Sequence, residues 1–308
     1  MNYTLHILET PADFIAVEAL QRLVWPGSET EVVPGHMLRA SVHHGGLAIG
    51  AYVLNQPAPE PENAPDQRGE LAGFVFGFPG SYATPAGLRL MHCSHMLGIH
   101  PEHRQRGLGY LLKRAQWQMV RRQGIDRISW TYDPLLSVNA RLNIARLGAV
   151  CSTYLVDFYG PMQDALNAGL PSDRFQVDWW VNSRRVNNRL SKRARPRLTL
   201  AQYLSAEPVL LNDTYTDGDG LCCPAGLHSP IPSGGEALLL AEIPPDFQRI
   251  KALVPDIALE WRSQMRSLFM EAFQAGYLVT DFVSESPPQG DPAPRRSFYV
   301  LSNGELTL

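Results

Sequence analysis

Residues 97–110, Leu97-Gly98-Ile99-His100-Pro101-Glu102-His103-Arg104-Gln105-Arg106-Gly107-Leu108-Gly109-Tyr110, join a strand end to a glycine turn and a helix start. Leu97 and Ile99 alternate as in a half-buried strand, Pro101 stops it, and Gly107 with Gly109 opens an amphipathic run from Leu108 to Gln123. Such a turn binds anions. The N–H groups of a helix's first turn have no internal partners, the helix dipole is positive there, and glycines let the backbone approach a phosphate. Arg104 and Arg106 add positive charge. A Walker loop needs Lys-Ser or Lys-Thr after its last glycine, where Tyr110 and Leu111 stand, and a dinucleotide fingerprint needs three glycines rather than two.

Working outward, periodicity and breakers predict a strand at Tyr3–Leu8 and helices at Asp13–Trp25 and Pro34–His43. Strands follow at Gly46–Leu54, Glu70–Phe78 and Leu88–Ile99, with a proline-rich connection at residues 56–68. After the loop helix come a strand at Arg127–Tyr132, a helix at Ser137–Leu147 and a strand at Cys151–Tyr159. Beyond residue 160, Gln163–Arg197 is read as a helix and a basic run, with a strand at Ala237–Ile243 and a helix at Asp256–Ala275. A terminal hairpin is expected from Tyr277–Val283 and Ser297–Leu301 around residues 284–292.

The 308 residues carry a net charge of -3, so no global field draws in nucleic acid or an anionic membrane. Lysine stands only at positions 113, 192 and 251. Four cysteines, two of them adjacent as Cys222 and Cys223, show neither a disulfide framework nor a zinc spacing, and the N-terminus lacks a signal-peptide pattern. A soluble, cytoplasmic protein is expected. Residues 71–88 are uncharged, but their prolines and glycines do not suit a membrane helix. The seven cations of Arg184–Arg197 lack interleaved aromatics for base stacking, which argues for a solvated helix and linker rather than nucleic-acid binding. If they did bind an acceptor linked to nucleic acid, steep salt dependence would follow. Asp178-Trp179-Trp180 is read as a domain-interface anchor.

The segment Arg-x-x-Gly-x-Gly after Leu-x-Ile-x-Pro-Glu resembles motif A of the GNAT (Gcn5-related N-acetyltransferase) superfamily, and the β-α-α-β-β-β-α-β-α-β order agrees with it. The resemblance implies a GNAT fold, an α/β (α+β) architecture with a mixed, mostly antiparallel sheet flanked by helices. It implies an acyl-coenzyme A-binding domain over residues 1–160. Residues 161–308 would be an α/β region that covers the acceptor site, mediates a homodimer or forms a degenerate second GNAT-like half. It further implies an N-acetyltransferase using acetyl-coenzyme A as co-substrate and a small-molecule or peptide amine as acceptor. The backbone of Leu97, Gly98 and Ile99 would then pair with the pantetheine arm, and Arg104, Gln105, Arg106, Gly107, Leu108, Gly109 and Tyr110 would hold the pyrophosphate. Residues 25–45 and 56–68 would build the acceptor pocket.

Strand alternation puts Cys93 and His95 on one face and His92 on the other, so no metal is expected there. Serotonin N-acetyltransferases carry two histidines at the matching places, and here His95 remains while Cys93 replaces the other. His95 is the expected base, neutral at pH 7 without a large shift. The family's usual acid, a tyrosine, is missing: Ile144 occupies that place in Ile144-Ala-Arg-Leu-Gly148-Ala149. Water, Tyr132 or Tyr154 would serve instead, or catalysis is lost and coenzyme A binding retained. Asn139 and Asn143, one helical turn apart, either face the ligand, as Asn139 would by resemblance, or form a cap and a solvated face.

Overall fold

The computed structural model describes residues 3–27, 29–54, 69–164, 167–191, 196–228, 230–232, 238–286 and 294–303. Within it the chain divides into two compact units, Met1–Trp130 with Gln163–Leu166, and Thr131–Met162 with Asn167–Leu308.

The first unit runs β1 (Tyr3–Ile7), α1 (Pro11–Val24), α2 (Gly35–His43), β2 (Leu47–Val53), β3 (Leu71–Thr84), β4 (Gly87–Ile99), α3 (Leu108–Arg122) and the start of β5 (Arg127–Tyr132). Thr10 and Asp13 form a capping box that sets where α1 begins, a term of about 1 kcal/mol. Its seat on the sheet is set by Phe14, Val17, Leu20 and Val24, all buried, each contributing about 1.5–3 kcal/mol. Burial therefore outweighs the cap. The strands β1 to β4 pair antiparallel in chain order. The pair β4–β5 is parallel, at His92↔Ile128 and Cys93↔Ser129.

Adjacent β3 residues sort the helices onto opposite faces. Phe74 and Phe76 join Phe14, Leu20 and Leu38 beneath α1 and α2, whereas a side chain at Gly73 would meet Leu108 of α3. Between Phe76↔Met96 and Phe78↔Cys93 the register shifts, because β4 spends one residue more than β3 there. This is a β-bulge at Ser94–His95. The expected 56–68 connection lies outside the described residues.

The second unit holds α4 (Ser137–Ala140), β6 (Val150–Leu155), β7 (Arg174–Trp180), α5 (Arg184–Leu190), α6 (Leu200–Leu204), β8 (Val209–Leu210), β9 (Asn212–Thr216) and β10 (Cys222–Leu227). It continues with β11 (Leu239–Ile243), α7 (Phe247–Leu253), α8 (Pro255–Gln274), β12 (Tyr277–Glu285) and β13 (Arg296–Asn303). Its main sheet has the order β7-β6-β12-β13-β11-β8, antiparallel except for β11–β8. Helix α8 buries Trp261, Met265, Leu268 and Phe269, and the rings of Phe175, Phe269 and Tyr299 meet edge to face. No described helix is long and apolar enough to cross a membrane.

Several elements differ from expectation. The limit expected at residue 160 falls between β6 and β7, which pair from Val150↔Asp178 to Leu155↔Arg174 within one unit, so a boundary there would separate neighbouring strands of one ladder. Gln163–Arg197, expected to hold a helix and a basic run, holds the helix α5 and before it the unexpected strand β7, which buries Phe175, Val177 and Trp179 at period two. Trp179 is a core residue of the second unit whose indole N–H donates to the Leu147 carbonyl at 2.8 Å, not an interface anchor. The helix expected over Ser137–Leu147 becomes a π-helical turn at Arg141–Arg146, with Leu147 N–H donating to Leu142 O. The strand expected to reach Tyr159 ends at Leu155, and the turn that follows puts Asp157 in the left-handed region at φ 44°. In the terminal region β13 lies between β11 and β12, so the strands flanking α8 are not neighbours, unlike β4 and β5 around α3. The hairpin tip, residues 287–293, lies outside the described residues.

Candidate active site

At the start of α3 the backbone makes a cradle. Gly107 is its N-cap at φ 79°, Gln105 is also left-handed at φ 61°, and no side chain caps the helix. Nothing lies within 4 Å of where a Gly107 Cβ would be, so the conformation rather than crowding selects glycine there. The cradle is anchored on both sides. Leu108 is 1 % exposed and plugs α3 into the core, leaving only its backbone to meet a ligand. Upstream, buried His103 shares a 3.0 Å hydrogen bond with the Tyr3 hydroxyl, tying the turn Pro101–His103 to β1. Arg104 reaches back to the carbonyls of Ile99 and Val24 at 3.5 and 3.4 Å, and Arg106 lies exposed. Positive side chains, a positive helix end and uncapped first-turn amides thus share one exposed turn.

The strand leading into it is prepared in the same way. The described β4–β5 pairing ends at Cys93↔Ser129, while β4 continues to Ile99 against β3. Leu97, Gly98 and Ile99 therefore present their other backbone edge without a β5 ladder.

Cys93 and His95 project on the α1–α2 side of the sheet. The Cys93 sulfur lies under Gly80, and the His95 ring packs against Phe76 and Phe78, with centroids 6.4 and 5.7 Å away. This apolar seat lowers the His95 pKa below its ordinary value, so the imidazole is neutral at pH 7 although one edge is exposed. Burial pushes the Cys93 thiol up, which keeps it protonated. Close to His95, residues Ala40, Ser41, His44, Phe78 and Pro79 line an open hollow of about 380 Å³. Its α2 wall falls within the 25–45 segment expected to shape the acceptor pocket.

On the opposite face, behind the bulge, lies a buried polar cluster that sequence reading did not resolve. Lys113 Nζ donates to Ser94 Oγ at 2.7 Å and Gln116 Oε1 at 3.3 Å and sits 3.5 Å from the centre of the Trp130 ring, and burial holds its pKa well below the ordinary lysine value. The Gln116 amide donates to His92 Nε2 at 3.1 Å. His92 is fully buried, and burial first, then the Lys113 charge, lowers its pKa to about 4. The one available signal was a lysine on the apolar side of an otherwise amphipathic helix.

Tyr154, Tyr132, Asn139 and Asn143 belong to the second unit. The Tyr154 hydroxyl donates to Asp173 at 2.8 Å, and Asp173 is forked by Arg266 at 2.8 and 2.9 Å. Burial, and then the Asp173 charge, raise its pKa far above the ordinary phenol value. Tyr132 is bonded to the Tyr299 hydroxyl and raised in the same way by burial. Both phenols hold their protons for structure, which does not suit a general acid. Asn143 is 5 % exposed and lies inside the π turn Arg141–Arg146, whereas the half-buried Asn139 precedes that turn, so the even one-turn spacing is broken.

Among the described residues one group has metal-ligand atoms close together, Glu70, His100 and His103, within 4.8 Å of one another. His100 Nδ1 accepts the Glu102 N–H, which in the neutral ring puts the proton on Nε2 and closes that nitrogen to a metal.

No protein-family model matches the sequence, and no curated protein is similar to it in sequence. Solved structures are similar in fold. NAA60 of Arabidopsis thaliana, solved with a bisubstrate analogue, matches at 17% identity over 59% of this chain and 100% of its own, with a TM-score of 0.41. The ribosomal-protein-S18-alanine N-acetyltransferase of Escherichia coli matches at 13% over 58% and 94%, TM-score 0.41. A GNAT-family acetyltransferase of Streptococcus pneumoniae matches at 13% over 57% and 98%, TM-score 0.42. At identities and scores of this size, the residues themselves carry the functional reading.

Proposed function

We propose that the chain is a GNAT-type N-acyltransferase that moves an acetyl group from acetyl-coenzyme A directly to the amine of a small molecule or peptide. The observation that supports this best is the joining, over fourteen residues, of the β4 edge at Leu97–Ile99, along which no β5 ladder is described, to the left-handed glycine cradle at Gly107. The first offers backbone donors and acceptors to an extended chain. The second offers amides and positive charge to a pyrophosphate. The co-substrate supplies an activated thioester.

His95 is the base in this reading. Its apolar seat keeps the imidazole neutral and able to take the proton from an attacking amine. The hollow beside Phe78 receives the acceptor, and the departing thiolate takes its proton from water, since Tyr154 is committed to Asp173. Titration with acetyl-coenzyme A tests the reading. Micromolar binding in the wild type that is lost in Gly107→Glu and Gly109→Glu supports it, and no binding at all overturns it. The commitment of both phenols also favours a second reading, an acyl-coenzyme A sensor without chemistry. That reading predicts the same binding with no turnover across a panel of amines.

A further inference from the structure

The seven-cation run Arg184–Arg197, read from sequence as solvated, is to some extent folded into the second unit. Arg185 donates to the Gly148 carbonyl at 2.9 Å and to the Thr280 carbonyl. Arg189 donates to the Ala145 carbonyl at 3.1 Å and pairs with Asp281 at 2.6 Å. These two arginines cap the end of the π turn and hold α5 to β12. Lys192, Arg193 and Arg195 lie outside the described residues.

Beside this scaffold is a half-enclosed hollow of about 300 Å³. Arg141, from the π turn, and Arg197, from the end of the basic run, stand on its wall with Thr199, Asp281, Ser284 and Glu285. Neither Arg141 nor Arg197 has a hydrogen-bond or ion-pair partner among the described residues. Burial first, then the charges of Arg189, Arg141 and Arg146, hold the Arg197 guanidinium below its ordinary basicity, against the pull of Asp281.

Of the two carboxylates on the wall, Asp281 is already paired with a cation. Asp281 already accepts from Arg189, from the Tyr203 hydroxyl at 2.9 Å and from the Phe282 N–H at 2.8 Å. Glu285 accepts the Leu200 N–H at 2.8 Å and keeps its charge, so Arg141 and Arg197 together outnumber the one carboxylate on the wall that has no cation of its own. Two guanidiniums with free donors, facing a small hollow and crowded by further cations, are arranged to attract a compact anion. The guanidinium fork matches the oxygens of a phosphate in pairs, which an isolated ammonium does not.

The geometry points to this hollow as a binding site for a small phosphate-bearing dianion, held by Arg141 and Arg197. The site lies wholly in the second unit and does not depend on acyl transfer.

The test is titration of the full chain with inorganic phosphate at low salt, followed by calorimetry. Saturable binding is expected, weakened about tenfold or more in Arg141→Glu and in Arg197→Glu, since each removes one charge-assisted fork. Arg141→Gln and Arg197→Gln, which add no carboxylate beside Asp281, weaken it in the same order by less. Arg184→Glu, an exposed position outside the hollow, is the control and leaves binding unchanged. Acetyl-coenzyme A affinity is unchanged in Arg197→Glu, which separates a failure here from a failure of the acyltransferase reading.

Three results overturn the proposal. They are no saturation up to about 10 mM phosphate, equal losses in Arg184→Glu, or acetate binding as tightly as phosphate. Tight binding of a single-stranded oligonucleotide that phosphate does not displace also overturns it, in favour of an extended nucleic-acid surface.

Discussion

The two units bury titratable side chains in opposite ways. In the first, the buried Lys113 is set among the neutral side chains of Ser94, Gln116, His92 and Trp130, and ion pairs such as Arg22–Glu29 and Arg89–Asp126 lie toward the surface. In the second, carboxylates go inside with arginines: Asp133 with Arg262, Asp173 with Arg266, Glu242 with Arg296 and Asp281 with Arg189. A unit built around a long helix gains defined geometry from paired charges, although such pairs add little net stability over apolar packing.

Breaking one partner tests this contrast most strongly. Arg262→Met leaves the Asp133 carboxylate buried without its fork, where the two bonds measure 2.8 and 2.5 Å, and is expected to cost about 3–5 kcal/mol in denaturant unfolding. Acid sharpens it next. His92 binds a proton more weakly when folded, with a pKa of about 4 against about 6.5 in the open chain, so between those values the unfolded state takes up more protons. Stability from this group is full above about pH 6.5 and falls by about 3 kcal/mol as pH drops to about 4. Asp173, held below the ordinary carboxylate value, keeps its contribution until lower pH, so hydrogen exchange on acidification is expected to open the first unit before the second.

Turnover comes third. His95→Gln is expected to lower the acyl-transfer rate about a hundredfold and to remove the acidic limb of its pH profile, which should lie below the ordinary histidine value. An unchanged limb would assign the base elsewhere. The smallest effect concerns Lys113→Met. If the buried Lys113 nitrogen is only tolerated in its neutral surroundings, an apolar chain of similar length changes stability by less than about 1 kcal/mol. A loss several times larger would mean that the Ser94 and Gln116 bonds hold the β4 bulge in place.

Much of the first unit is legible in the sequence. The strands from Tyr3 to Ile99 are β-rich runs, Pro101 and the glycine pair end the last of them, and α3 begins at Leu108 where the pattern changes period. The second unit is harder to read. Its strand β7 alternates Phe175, Val177 and Trp179, but the run is only seven residues long and leads into the basic helix α5, so its period is short of context. The hairpin β9–β10 and the short helices α6 and α7 carry too few residues for periodicity to show, and rest on tertiary contacts.

Local chemistry alone determined the anion-receptive turn, because a left-handed glycine, a proline stop and the first amides of a helix act over a few neighbouring residues. Side-chain alternation likewise placed Cys93 and His95 on one face. Only the tertiary structure decided which side chains were available. It took Tyr154 out of the chemistry by joining it to Asp173 across 19 positions, seated His95 on Phe76 and Phe78, and brought Arg141 and Arg197 to one hollow. Those outcomes depend on desolvation and on partners distant in the chain, and neither is visible in the order of residues.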